Sequence, residues 1–431
     1  MKTTSLAALV ALGAFAITLV ATHLPLGLIQ PLLAVGWSVG LVAGVVTAAG
    51  LVVLWRDRAA DDRDDLFLRL NRSCSEERLA RGEVGLFARF LRAVWPGGWR
   101  RFRVGDEVEV RSLAEIQGTL DGNSALEGLP FQPEMVAYCG RRFRVYRRID
   151  KIHDYGRSGL MRRIEHAVSL VGLRCDGAAH GSCQARCSLI WKDAWLRPVS
   201  GSIDVRGRSQ GDVGAPAALT VEQSARRFSD SRPLESSSPA PPGERRFRCQ
   251  FTELAAASVP MHAWDIRQDL RPLVAGNVTL FAFGVAILTR LFNQVQRLRH
   301  GVTFPWVAKS AGSPVTAAAT PVAPGARVKV RGVEEIAMTL DARGRNRGLW
   351  FDLDMPKFCG RTYDVAERVE RLIDSRTGRM LHMKSPCLTL GGVAASGEML
   401  RFCSQHEQIL WREVWLRPVE RDAQTKRTLV S

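Results

Sequence analysis

The chain repeats itself at a fixed interval, and no other feature restricts its fold so tightly. Residues 105–154 align with 325–374 without a gap at an offset of 220. Identical pairs include Gly105/Gly325, Val108/Val328, Val110/Val330, Arg111/Arg331, Glu115/Glu335, Thr119/Thr339 and Asp121/Asp341. They continue through Gly128/Gly348, Phe131/Phe351, Met135/Met355, Cys139/Cys359, Gly140/Gly360 and Arg148/Arg368. The same register returns at Cys183/Cys403 and Trp191/Trp411, and in Trp195-Leu-Arg-Pro-Val199 against Trp415-Leu-Arg-Pro-Val419. Two copies are too few for a solenoid, so each copy is expected to be a domain with its own core.

Within each copy the pattern is mostly β. Gly-Asp-Glu-Val-Glu-Val-Arg from Gly105 and Gly-Ala-Arg-Val-Lys-Val-Arg from Gly325 alternate apolar and charged residues, the period of a half-buried strand. Phe143–Tyr146 and His166–Leu170 read similarly, and Leu113–Leu120 reads as a short helix. Strands of this length between Gly and Asp turns point to a small twisted barrel of the KOW or Sm kind. The expected class is therefore mainly β with accessory helices. Two homologous barrel-like domains, 104–199 and 325–420, follow an N-terminal transmembrane hairpin.

That hairpin is read from two apolar runs, Leu6–Thr22 and Leu32–Leu54, each about the length a spanning helix needs. The prolines and glycine between His23 and Pro31 suit a tight turn. Lys2 precedes the first run and Arg56 and Arg58 follow the second, so the positive-inside rule puts both ends in the cytoplasm. Inner-membrane localisation with cytoplasmic repeats follows. The rival reading makes the first run a signal peptide cleaved near Ala14-Phe-Ala16. The chain carries 60 Lys+Arg against 43 Asp+Glu, a net charge of +17, which favours anionic partners: a lipid surface or, less favoured, nucleic acid. Residues 57–103 form a basic segment in which Phe87, Phe90, Leu91 and Trp95 share a helical face. That helix either lies on the inner leaflet or packs on the domain that follows.

Between the copies, residues 200–245 are rich in Ser, Gly, Pro and Arg and read as a flexible linker. Residues 246–300 read as a helical connector with an apolar run, Leu273–Leu288, expected to be buried or interfacial rather than spanning. Residues 301–324 read as a second linker and 421–431 as a tail.

The chemistry is expected at cysteine. Nine cysteines, an odd number without a clear secretory signal, read as thiols or thiolates in a reducing compartment. The first copy holds Cys139, Cys175, Cys183 and Cys187, the last three as C-x7-C-x3-C, and thiolates on Gly-rich turns can converge on tetrahedral zinc. In the second copy Cys359 and Cys403 recur, Cys387 and His406 are new, and Ala395 and Glu407 replace Cys175 and Cys187. The expected ligand sets are thus Cys139, Cys175, Cys183 and Cys187, and Cys359, Cys387, Cys403 and His406, with His153, His180 and Cys249 in reserve. Zinc is the expected metal, and an iron–sulfur cluster fits the same ligands.

Enzyme signatures are missing: the chain has no G-x-S-x-G elbow, no P-loop and no G-x-G-x-x-G after a strand. His406-Glu407 starts like H-E-x-x-H, but Leu410 fills the second histidine position. Trp191, Trp195, Trp411 and Trp415 read as core anchors rather than stacking platforms.

Phe351-Asp-Leu-Asp-Met, Tyr138-Cys-Gly with Phe358-Cys-Gly, Leu173-Arg-Cys-Asp-Gly-x-x-His-Gly-x-Cys183 and Trp411-Arg-Glu-Val-Trp-Leu resemble an uncharacterised two-half bacterial family. The resemblance spans roughly residues 105–199 and 245–420 and leaves out the N-terminal hairpin. It implies a setting near polysaccharide or natural-product genes and brings no established activity. Members carry further cysteines in the second half, one of them where Ala395 stands here, so this chain departs from the pattern at its second site.

The reading is a membrane-tethered, non-catalytic scaffold whose two β domains are held by structural metal. The alternatives are a metal- or thiol-dependent enzyme acting on lipid-linked or polysaccharide precursors, and a nucleic-acid-binding protein.

Overall fold

The computed structural model describes residues 79–80, 101–154, 160–199, 245–262, 265, 267–301, 303–304 and 321–419. The expected transmembrane runs and the tail, and most of the basic segment, the 200–245 linker and the 301–324 linker, lie outside those residues. Among the described residues no helix is long and apolar enough to cross a membrane.

The first copy runs β1 (Glu107–Val110), α1 (Leu113–Gln117), β2 (Ala125–Leu126), β3 (Leu129–Pro130), β4 (Arg142–Arg148), β5 (Lys151–His153), β6 (Met161–Arg163), β7 (Ala167–Arg174), β8 (Ser188–Lys192) and β9 (Leu196–Pro198). Its main sheet has the order β8-β7-β4-β1-β9 and curls as a half-barrel. A short strand β10 (Val259–Pro260) pairs with β6, and two helices follow, α2 (Arg267–Ala275) and α3 (Leu280–Leu298). The second copy has β11 (Arg327–Val330), α4 (Val333–Ala337), β12 (Arg345–Asn346), β13 (Leu349–Trp350), β14 (Thr362–Ile373), β15 (Met380–Leu390) and β16 (Leu416–Pro418). Its curled sheet is ordered β15-β14-β11-β16. The mainly β expectation holds, and the alternation read at Val108/Val110 and Val328/Val330 is an alternation of buried and outward residues.

The repeated identities are the residues that build this unit. Glu115 accepts from the Ser112 amide, 2.9 Å, and Glu335 from the Gly332 amide, 3.1 Å, closing the first turns of α1 and α4. Asp121 and Asp341 each accept two backbone amides and hold the following turn. Thr119 takes the Trp195 indole N–H at 3.1 Å, and Thr339 takes that of Trp415 at 2.8 Å. All four repeat tryptophans are fully buried, and Phe131 and Phe351 meet Trp195 and Trp415 edge-on. Each copy encloses its own hydrophobic core.

The copies also hold one another by matched bonds. Gln184 N donates to Arg371 O and Ser404 N to Lys151 O, both at 3.1 Å. Ile373 N donates to Cys183 Sγ at 3.4 Å and His153 N to Cys403 Sγ at 3.3 Å. Every partner in one bond sits 220 residues from its counterpart in the other, so the contact is isologous, like that of a C2 dimer, within one chain. Where the two loops meet, the Arg174 guanidinium donates to Arg186 O and to its counterpart His406 O.

In the segment expected as a helical connector over 246–300, the helices are α2 and α3, from Arg267 onward. Residues 248–258 lie along the first copy, while Arg246 forms a β-bridge with Arg379 and Phe247 N donates to Gly378 O of the second copy at 2.8 Å. Gln250 imitates a strand partner, accepting from Ile190 N and donating to Ile190 O and Pro130 O, while Leu254 and Ala257 join the first core. The apolar run 273–288 is broken between α2 and α3, where Asn277 bonds both backbone groups of Arg148. In the separate unit that contains it, α3 buries Ala282, Val285, Ala286 and Thr289, a single helical stripe.

Candidate metal centre

The site forms where β7 ends. Cys175 N donates to Cys187 O at 2.8 Å, so the two limbs of the loop 176–186 leave as a pair. The tight course of that loop requires glycine: Gly177 has φ +78°, and a Cβ there would collide with the Cys183 carbonyl. A short 3-10 turn, Ala178–His180, then directs the His180 ring inward to 2% side-chain exposure. Opposite, the 3-10 helix Pro133–Tyr138 carries Glu134, 7% exposed, whose Oε1 lies 3.1 Å from His180 Nε2.

Glu134, Cys175 and His180 thus present one ligating atom each within 4.8 Å of one another, and this cluster can hold a metal ion. The fit has independent support. Glu134 Oε2 and His180 Nδ1 are buried without a hydrogen-bond partner, polar capacity that a buried site seldom leaves unused. Burial opposes ionisation of Glu134, yet the hydrogen bond and charge of His180 outweigh it and hold the carboxyl below its ordinary range. Burial and the neighbouring Glu134 carboxylate push the Cys175 thiol well up. A bound cation reverses that preference, because a coordinating thiol is deprotonated outright.

The cluster borders a cavity of about 40 Å3, room for an ion or a water. Four thiols, those of Cys175, Cys183, Cys187 and Cys249, line it, and Glu407 reaches it from the second copy. None of these cysteines is in a disulfide.

The expected ligands therefore divide. Cys175, Cys183 and Cys187 come to one place, joined by two residues held in reserve, His180 and Cys249, and by Glu134, which carried no motif. Cys139 does not line the cavity. It ends the 3-10 helix Pro133–Tyr138, packs on the first core, and points its thiol at Met135 O, as Cys359 does at Met355 O. Burial pushes both thiols up to about 12.

In the second copy Cys403 and His406 line a counterpart cavity, whereas Cys387 is a buried strand residue of β15 paired with Val369. The triad itself is absent there: Asp354, Ala395 and Leu400 occupy the places of Glu134, Cys175 and His180. Asp354 is satisfied by protein alone, accepting from Gly397 N at 3.0 Å, Ser396 Oγ at 3.1 Å and Lys357 Nζ at 3.4 Å. His406 is committed elsewhere, with Nδ1 3.1 Å from Ala395 O and its ring edge-on to Tyr146.

No protein-family model matches the chain, and no curated protein matches it.

Proposed function

We propose that this chain is a membrane-tethered scaffold or binding protein whose paired β domains are fixed by one structural zinc ion in the first copy. The carrying observation is the convergence of Glu134, Cys175 and His180, with Glu134 Oε2 and His180 Nδ1 unsatisfied. Zinc accepts this mixed oxygen, nitrogen and sulfur set, whereas iron–sulfur clusters are held chiefly by thiolates. The thiols that line the adjoining cavity are the candidates for a fourth ligand, which would close the site and make it structural. The thiol chemistry supports a non-catalytic role, since Cys187 and Cys249 are also pushed up by burial, Cys249 to about 11. The apolar runs Leu6–Thr22 and Leu32–Leu54 and the charge of +17 support a tether at an anionic lipid surface.

The test is elemental analysis of the purified full chain, followed by cobalt substitution. One equivalent of zinc and a cobalt spectrum with thiolate-to-metal charge transfer, both lost in Cys175→Ala, are expected. A parent chain free of metal after zinc-supplemented expression rules the reading out.

A further inference from the structure

The two copies differ in what covers one face. On the first, residues 248–258 lie across the β2–β3 hairpin and β8: Ala256 closes on Gly128, Arg248 donates to Asn123 O at 2.7 Å, and Gln250 occupies the Ile190 backbone. Pro130 beneath them is buried. On the second copy no described segment lies across this face of the equivalent hairpin, β12–β13. Among the described residues nothing lies within 4 Å of where a Gly348 Cβ would stand, Trp350 is 56% exposed where Pro130 is covered, and Leu353 is 43% exposed three residues on. Among the described residues no side chain bonds the Leu410 backbone as Gln250 bonds that of Ile190.

The charge of the hairpin differs as well. Asn123, Ala125 and Glu127 in the first copy become Arg343, Arg345 and Arg347 in the second. Arg345 stacks on the exposed Trp350 ring, 4.2 Å from its centroid, while Arg343 and Arg347 are exposed. Arg412 donates to Arg347 O and to Asn346 O, so the turn that displays these arginines is braced from below. An uncovered apolar face with a ring of cations, held on a rigid turn, is a recognition surface rather than a core left unfinished.

We propose that this face of the second copy takes an extended acidic segment of a partner protein, seated as residues 248–258 are seated on the first copy. The first copy supplies the template for an extended chain whose side-chain amide satisfies strand backbone, a form of recognition related to strand addition. The three arginines set the sign of the partner's charge, and Trp350 supplies the aromatic anchor. This inference is independent of the metal.

The experiment uses the full chain and labelled peptides read by fluorescence anisotropy. One peptide carries residues 245–258 with Cys249→Ser; the other adds Arg245→Glu, Arg246→Glu and Arg248→Glu. A short single-stranded oligodeoxynucleotide of mixed sequence is the third probe. The acidic peptide is expected to bind the parent, and to bind Trp350→Ala and Arg347→Glu about tenfold more weakly or worse. The basic peptide is expected to bind more weakly than the acidic one. Arg347→Glu places the residue that the first copy carries at the same left-handed backbone position, φ +47° against +52° at Glu127, so folding is preserved. The proposal fails if the acidic peptide does not bind, or if it binds both variants as tightly as the parent. It fails equally if only the oligonucleotide binds with dependence on Trp350 and Arg347, which would make the face a nucleic-acid surface.

Discussion

The thiol of Cys183 accepts a hydrogen bond from the backbone amide of Ile373 in the other copy, at 3.4 Å. Cys403 takes the same bond from His153 at 3.3 Å. The repeated pair Cys183/Cys403 is therefore a joint between the copies. In the first copy the loop that carries that joint also carries Cys175 and His180.

Ligand and packing cysteines should separate by experiment. Binding energy at a structural zinc site appears as folding energy, on the order of 10 kcal/mol. Cys175→Ala and His180→Ala should lose metal and much of the thermal stability of the first copy. Cys139→Ala removes only a small part-buried group and should keep its metal, with a loss of roughly 1–3 kcal/mol. Metal content and thermal midpoint of the three variants decide it; retention of metal by both ligand variants would rule out this site.

The loop geometry gives a second contrast. Gly177 and Gly140 both have positive φ, +78° and +74°, but only at Gly177 does an added Cβ strike backbone, that of Cys183. Gly140→Ala should cost about 1 kcal/mol for the left-handed backbone alone. Gly177→Ala should cost several kcal/mol and lower metal occupancy, because the loop must open to accept it. Equal denaturation midpoints for the two variants would show that the loop gives way freely.

A third contrast lies in the buried ion pairs beneath the sheets. Arg148 reaches both oxygens of Asp193 at 3.0 and 2.9 Å with side-chain exposures of 3% and 5%, while its counterpart Arg368 is 35% exposed opposite Glu413. Asp193→Ala removes the two-oxygen partner of a buried guanidinium, leaving it Asp150 at 3.5 Å and Phe102 O at 3.3 Å, and should cost about 3 kcal/mol. Glu413→Ala leaves Arg368 partly in water and should cost about 1 kcal/mol. Urea titration of both variants measures the difference.

Acidity should weaken the fold through two carboxylates. His180 holds Glu134 below its ordinary 4.5, outweighing burial; the Lys357 charge, with the Gly397 amide and the Ser396 hydroxyl, holds Asp354 below 3.8, again against burial. A lowered carboxylate pKa stabilises above the unfolded value, and that stability is lost as pH falls through the folded one. With chelator present, the thermal midpoint should hold from neutral pH down to about 5 and fall below that. Glu134→Gln should flatten part of the fall, and a slope unchanged from the parent would show that Glu134 carries no linkage.

The architecture was legible because a duplication exposes it. Val108/Val328, Thr119/Thr339, Asp121/Asp341 and the paired tryptophans recur since each is needed wherever this half-barrel forms. The site was legible only in part, for the opposite reason: its residues are where the copies differ, as Glu134/Asp354, Cys175/Ala395 and His180/Leu400. Repetition thus drew Cys139 into the expected ligand set although its thiol serves packing, and Glu134, an acid in a short turn far from the cysteine motif, gave no signal. The seat of residues 248–258 was hidden as well, because the strand-like contact there is made by the Gln250 side chain, which no backbone periodicity records.

The matched bonds between the copies also set a timetable. The partners of Cys183 and His153 lie 190 and 250 residues further along the chain. At roughly 5–20 residues per second, a ribosome needs about 10–50 s to deliver them. During that interval the first copy already owns Glu134, Cys175 and His180, so metal capture can precede the arrival of the second copy and hold the cysteine loop in the shape that the late-coming strand must find.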